Sequence, residues 1–204
     1  MSNVALLVVD VQNDFCPGGS LAVPDGDNVV PVLNEAIRQV IDAGAVVFAS
    51  RDWHPPETAH FQAGGGRWPP HCVQGTHGAR FHPGLALPES AIIITKGDNP
   101  LDDGYSAFDG SDPGGLTFDQ ALERARTRKL VVGGLATDYC VRASVLDARK
   151  RDLDVVLLLD AIQGIDAAEG DIARALEDMR RAGARPATIE SLAQELVANG
   201  STDG

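Results

Sequence analysis

A thiol, a lysine, two carboxylates and a histidine each come just after a short apolar run in this chain of 204 residues. Asp10 follows Val4 to Val9, Asp52 and His54 follow Ala45 to Ala49, Lys96 follows Ala91 to Thr95, and Cys140 comes a turn after Leu130 to Gly134. Such runs read as buried strands, and ligands of open parallel sheets bind beyond the carboxyl ends of the strands. The five groups are therefore expected on one edge, where they suit nucleophilic catalysis. Cys140 stands near the start of a helix expected to be capped by Thr137, where backbone N–H groups and the helix dipole favour a thiolate. Lys96 supplies a neighbouring cation. Asp10 can take the thiol proton and later give it to a leaving amine, and the same N–H groups can hold an oxyanion. Taken singly, each residue has a plainer reading: a packed cysteine, a turn-capping aspartate, a solvated lysine. Their shared placement favours chemistry.

A second set lies in the irregular stretch 52–88, rich in Pro, Gly and His. A loop that long inside a compact domain usually has a function or no order. Asp52-x-His54, His60 and His71 offer carboxylate and imidazole ligands of the kind Zn, Fe or Mn accepts. Isolated loop histidines are commonly just solvated; His77 and His82 read as surface residues or as supports behind the ligands. Cys16 and Cys72 lack any such context and read as packing residues.

The elements that must position these groups follow from periodicity. Val30, Leu33, Ile37, Val40 and Ile41 repeat at helical spacing before a stop at Gly44. Thr117-x-x-Gln120 is a capping box opening a helix through Arg128. Thr137 opens a helix carrying Val141, Val145 and Ala148. Val155 to Leu159 is a fifth strand, and Asp166-x-x-Glu169 caps a helix with Ile172, Leu176 and Met179. A short strand at Ala187 to Ile189 and a helix from Ser191 complete the series, and Asn199 to Gly204 reads as a frayed tail. Apolar strands alternating with amphipathic helices predict one α/β domain over 1–204, a doubly wound, mainly parallel six-stranded sheet with helices on both faces.

Composition sets bounds. The formal net charge of -12 disfavours nucleic acid or an anionic membrane as partner, since both need clustered Lys and Arg. The N-terminus has no basic segment or cleavage pattern of a signal peptide, and its apolar run is too short to span a bilayer. Three cysteines without CxxC spacing predict a reducing cytoplasm rather than a disulfide framework.

Five fragments, in order, carry a resemblance over nearly the whole chain: Asp10-Val11-Gln12-Asn13-Asp14-Phe15, Asp52-Trp53-His54-Pro55, Trp68-Pro69-Pro70-His71-Cys72-Val73, Lys96-Gly97, and Gly134-Leu135-Ala136-Thr137-Asp138-Tyr139-Cys140-Val141. They resemble the nicotinamidase/pyrazinamidase branch of the isochorismatase-like hydrolases. The resemblance implies a catalytic triad of Asp10, Lys96 and Cys140, and one divalent transition metal ion (Zn, Fe or Mn) on Asp52, His54 and His71. His60 matches a fourth ligand present in part of the branch. It also implies an oxyanion hole from the N–H groups of Ala136 and Cys140, a cis peptide between Leu135 and Ala136, and a pocket lined by Phe15, Leu21, Trp68 and Tyr105. Tyr139 stands where some relatives have histidine, a position that can tune substrate range. Phe48 and Phe118 read as core. The implied activity is hydrolysis of nicotinamide, and of pyrazinamide, to acid and ammonia through a cysteine thioester; the assembly is left open, a homo-oligomer included. The rival readings are a cysteine amidase for another small amide, such as a carbamoyl or ureido compound, and a non-catalytic metal-binding module.

Overall fold

The computed structural model describes residues 2–197; the expected frayed tail lies outside them. Six strands form one sheet: β1 (Val4–Val9), β2 (Val46–Asp52), β3 (Ile92–Lys96), β4 (Lys129–Leu135), β5 (Asp154–Gln163) and β6 (Arg185–Ala187). Their order is β3-β2-β1-β4-β5-β6, and every pairing is parallel. The chain builds outward in one direction from β1 and then, from β4, in the other. That reversal opens a crevice beyond the carboxyl ends of β1 and β4, where such sheets bind ligands.

Both faces of β1 are buried, which is why it is apolar at every position. Leu6 and Val8 pack with Leu33, Ile37 and Leu192 on one side; Leu7 and Val9 pack with Phe48, Phe118, Val145 and Met179 on the other. The first side is covered by α1 (Val29–Asp42) and α5 (Ile189–Val197), the second by α2 (Phe118–Arg124), α3 (Arg142–Lys150) and α4 (Asp171–Arg181). Phe48 and Phe118 meet edge to face at 5.3 Å in the second core. No helix among the described residues is long and apolar enough to cross a membrane.

Several boundaries differ from those expected, each for a local reason. α1 buries Val30, Leu33, Ile37 and Val40, but Ile41 is 44% exposed because it falls off the packed stripe. The Thr117 capping box forms, yet α2 stops at Arg124 because Arg126 turns left-handed at φ 56°. Thr137 does not cap: Ala136 holds that place, and Thr137–Val141 form a π turn before α3. α4 opens at Gly170 rather than from an Asp166/Glu169 box; Asp166 instead accepts from the amide of Ile172. β6 lies at Arg185–Ala187, not Ala187 to Ile189, and Ile189 already opens α5, its amide tied to Asp160.

Candidate active site

Asp10, Lys96 and Cys140 meet in the crevice, all three nearly or fully removed from solvent. Lys96 is the last residue of β3, and its ammonium lies between two carboxylates: 2.8 Å from Asp10 Oδ2 and in a short contact with Asp52 Oδ1. It also donates to the Gly104 carbonyl at 2.6 Å and to Cys140 Sγ at 3.6 Å. Although burial opposes it, this acidic pair holds the lysine pKa well above its ordinary value, so Lys96 is a fixed cation.

Asp10 follows β1 in a left-handed conformation, φ 47°, a geometry aspartate tolerates better than most residues. Gly134, beside it on β4, permits the approach: a Cβ there would meet the Val9 carbonyl oxygen at 2.1 Å. Ser50 donates to Asp10 Oδ1 at 2.7 Å. Oδ2 contacts Lys96 as an ion pair, but no donor among the described residues is directed along a hydrogen bond to it. It therefore keeps acceptor capacity, with the carboxylate and Cys140 Sγ within 4.8 Å. Burial raises the Asp10 pKa, Lys96 opposes that rise, and Asp52 adds to it.

Burial holds the Cys140 pKa well above its ordinary value; Lys96 pulls it down, but Asp10 and Asp52 push with burial. The carboxylates that flank Lys96 offset the lowering that its charge gives the thiol. Cys140 is carried by the π turn, in which the amides of Tyr139 and Val141 both donate to Ala136. The Leu135–Ala136 peptide preceding it is cis.

Beside this cluster stand three buried imidazoles. His54, His60 and His71 each offer a ring nitrogen within 4.8 Å of the others. The Pro69 carbonyl engages His71 Nδ1 at 2.8 Å, and Asp103 engages His60 Nδ1 at 2.8 Å. Each leaves Nε2 for the cluster. His54 is fully buried, and neither of its ring nitrogens has a hydrogen-bond partner among the described residues. An orphaned buried imidazole costs about 1–3 kcal/mol unless something binds it, and converging imidazoles are a transition-metal donor set. The three histidines thus fit a divalent ion.

Asp52 was expected beside His54 and His71, with His60 in a secondary place. The structure puts His60 within the imidazole group. The Asp52 carboxylate spans the two clusters: Oδ1 on Lys96, Oδ2 3.7 Å from His54 Nε2.

The pocket over both clusters holds about 340 Å³ and includes Phe15, Leu21, Trp68, Tyr105, Tyr139 and Cys140 in its lining. Trp68 Nε1 donates to the Tyr105 hydroxyl at 2.8 Å, and Tyr139 stands edge-on to Trp68 at 5.0 Å. Sequence reasoning missed three polar residues. Ser50 holds Asp10. Gln12 clamps both backbone groups of Asp52, each at 2.8 Å. Asp103 holds His60. Gln12 lies two residues after Asp10, and only its bonds to Asp52 in the folded chain reveal the role.

A buried cysteine, lysine and aspartate at the switch point of a doubly wound sheet define a cysteine hydrolase of the α/β class. The chain belongs to the isochorismatase family, whose domain profile matches residues 4–191. It is 41% identical to the nicotinamidase of Escherichia coli over 91% of this chain and 94% of that protein. It is 39% identical to the nicotinamidase/pyrazinamidase of Mycobacterium tuberculosis over 87% and 95%. The crystal structure of the pyrazinamidase of Pyrococcus horikoshii in complex with zinc is similar at a TM-score of 0.84 and 43% identity, covering 91% of this chain and 99% of that one.

Proposed function

We propose that this protein hydrolyses the carboxamide of nicotinamide, and of pyrazinamide, to the acid and ammonia, with Cys140 as nucleophile. The observation that carries the reading is the opening of both Cys140 and two of the three histidines, His60 and His71, onto one aromatic pocket. A flat heteroaromatic ring stacks on such walls. When bound by His54, His60 and His71, with Asp52 beside them, a divalent ion supplies an electrophilic anchor for a ring nitrogen, directly or through water.

The remaining work falls to the chain. Held against Trp68 and Phe15, the carboxamide carbon is presented to Cys140. Sulfur attacks as its proton passes to Asp10, whose raised pKa makes the proton easier to accept. The N–H groups of Ala136 and Cys140 hold the oxyanion, and Lys96 stabilises the transient charge from beneath. Asp10 gives the proton to the departing nitrogen, and ammonia leaves behind a thioester. Water then attacks, losing a proton to Asp10, and the proton returns to sulfur as the acid is freed. Lys96 stays charged throughout, keeping Asp10 oriented.

The test is ammonia release from nicotinamide, pyrazinamide and benzamide on one preparation, with and without a chelator. Benzamide keeps the carboxamide and the shape but has no ring nitrogen. A site built around a polar contact rejects the analogue lacking it, and kcat/KM for benzamide should be lower by at least ~100-fold. Equal values for benzamide and nicotinamide would return the protein to a generic small-amide hydrolase, the carbamoyl or ureido reading included.

A further inference from the structure

We propose that Asp103 is a positioning residue for His60, fixing which nitrogen that imidazole offers and how strongly it donates. The inference rests on the metal reading above. Asp103 Oδ1 lies 2.8 Å from His60 Nδ1. The His60 side chain is 3% exposed and that of Asp103 66%, so a solvated carboxylate reaches in to the outer edge of a buried ring. A carboxylate accepts only, so Nδ1 carries the hydrogen and Nε2 keeps the lone pair that faces His54 and His71. The ring's tautomer and orientation are set together.

The contrast with His71 is informative. There a neutral carbonyl, Pro69, does the orienting. A charged acceptor draws the Nδ1 hydrogen harder and makes Nε2 the more basic donor. Asp103 is also well placed to couple the two clusters, because it sits on a loop fastened to both. The Pro100 carbonyl accepts from the Ala59 amide and the Thr58 hydroxyl, each at 3.0 Å, which ties the loop to the segment bearing His60. The next residue, Gly104, takes the Lys96 ammonium on its carbonyl, and the Gly104 amide is held by Asp102 at 2.9 Å. Any shift of Asp103 away from His60 therefore pulls on a loop that also seats Lys96.

The experiment compares wild type, Asp103→Ala and Asp103→Asn by two readouts that do not use turnover. Zn²⁺ affinity is measured by competition with a chromophoric chelator. The tautomer of His60 is read from its ring nitrogen shifts by NMR in metal-free protein. Removing a residue that orients a ligating histidine typically weakens metal binding ~10–100-fold, and that loss is expected for Asp103→Ala, with His60 passing to a tautomer mixture. The amide oxygen of Asn still accepts from Nδ1–H, so Asp103→Asn should keep the tautomer and recover part of the affinity. Unchanged affinity and tautomer in Asp103→Ala would overturn the proposal, as would an Asn variant no better than Ala. A wild-type protein that takes up no Zn²⁺ would instead sink the metal reading beneath it, which separates the two failures.

Discussion

At the scale of single residues, the site divides labour between a buried thiol and an aspartate with free acceptor capacity. Cys140→Ala should abolish ammonia release while the circular dichroism spectrum and metal content stay those of the wild type; substantial residual turnover would remove Cys140 from the reaction. Asp10→Asn keeps the shape and can still accept from Ser50, but it cannot take a proton. It should lower kcat by ~10²–10⁴-fold, the usual worth of a positioned acid–base group, with little change in KM for nicotinamide. A much smaller loss in kcat would mean that the proton leaves Cys140 by another route. These residues were legible in the sequence because each stands just after an apolar strand. Asp103, Ser50 and Gln12 were not. Their work depends on partners 43, 40 and 40 positions away in the chain, and no spacing rule reaches across such gaps. How Asp52 and His60 share the site was not legible for a related reason: which oxygen of Asp52 is taken by Lys96 is decided by the packing of β2 against β3.

Elements were legible wherever a single period governed them. β1, β2 and β4 are buried on both faces and so announce themselves as apolar runs, and the packed stripe of α1 repeats as a helix should. The π turn was not legible, because a hydrogen bond spanning five residues leaves no mark on hydrophobic spacing; the residues there read as an ordinary helix start. Two substitutions probe how elements hold the site. Thr117 and Gln120 satisfy each other's backbone amides at the start of α2, so Thr117→Ala should lower unfolding stability by ~1 kcal/mol and leave activity intact. Gly97 follows β3 at φ +66°, and a Cβ there would lie 2.5 Å from the His54 ring. Gly97→Ala should therefore cost ~1–3 kcal/mol in backbone strain and displaced contacts, and it should reduce metal content. A Gly97→Ala protein with full metal loading and unchanged stability would show that β3 can shift without disturbing His54.

The molecule as a whole carries an acidic surface stitched by ion pairs, which gives it a pH response. Glu35 is held at about 2 by its hydrogen bond to Arg38, and Glu177 at about 2 by Arg180, with Arg181 assisting. Asp171 and Glu195 are also lowered. A carboxyl with a folded pKa below its unfolded value adds stability above the unfolded value and loses it as pH falls towards the folded one. Asp10 and Asp109, raised by burial, act in the opposite sense, but the lowered groups are more numerous. The Tm in the presence of a chelator should thus drop steadily from about pH 4.5 to about pH 2.5, and the drop should be shallower in high salt, which screens exposed pairs. A Tm independent of pH in that window would mean that these pairs are formed equally well in the unfolded chain. The pocket has a consequence at this scale too. Its aromatic walls, Phe15, Trp68 and Tyr105, suit one flat ring. The same ring is part of the far larger pyridine dinucleotides, where a ribose is bonded to its nitrogen. In such a molecule the ring nitrogen has no lone pair left for an ion held by the histidines. With the ring nitrogen as the anchor, intact dinucleotide should release ammonia far more slowly than the free base, and equal rates from the two would remove that anchor.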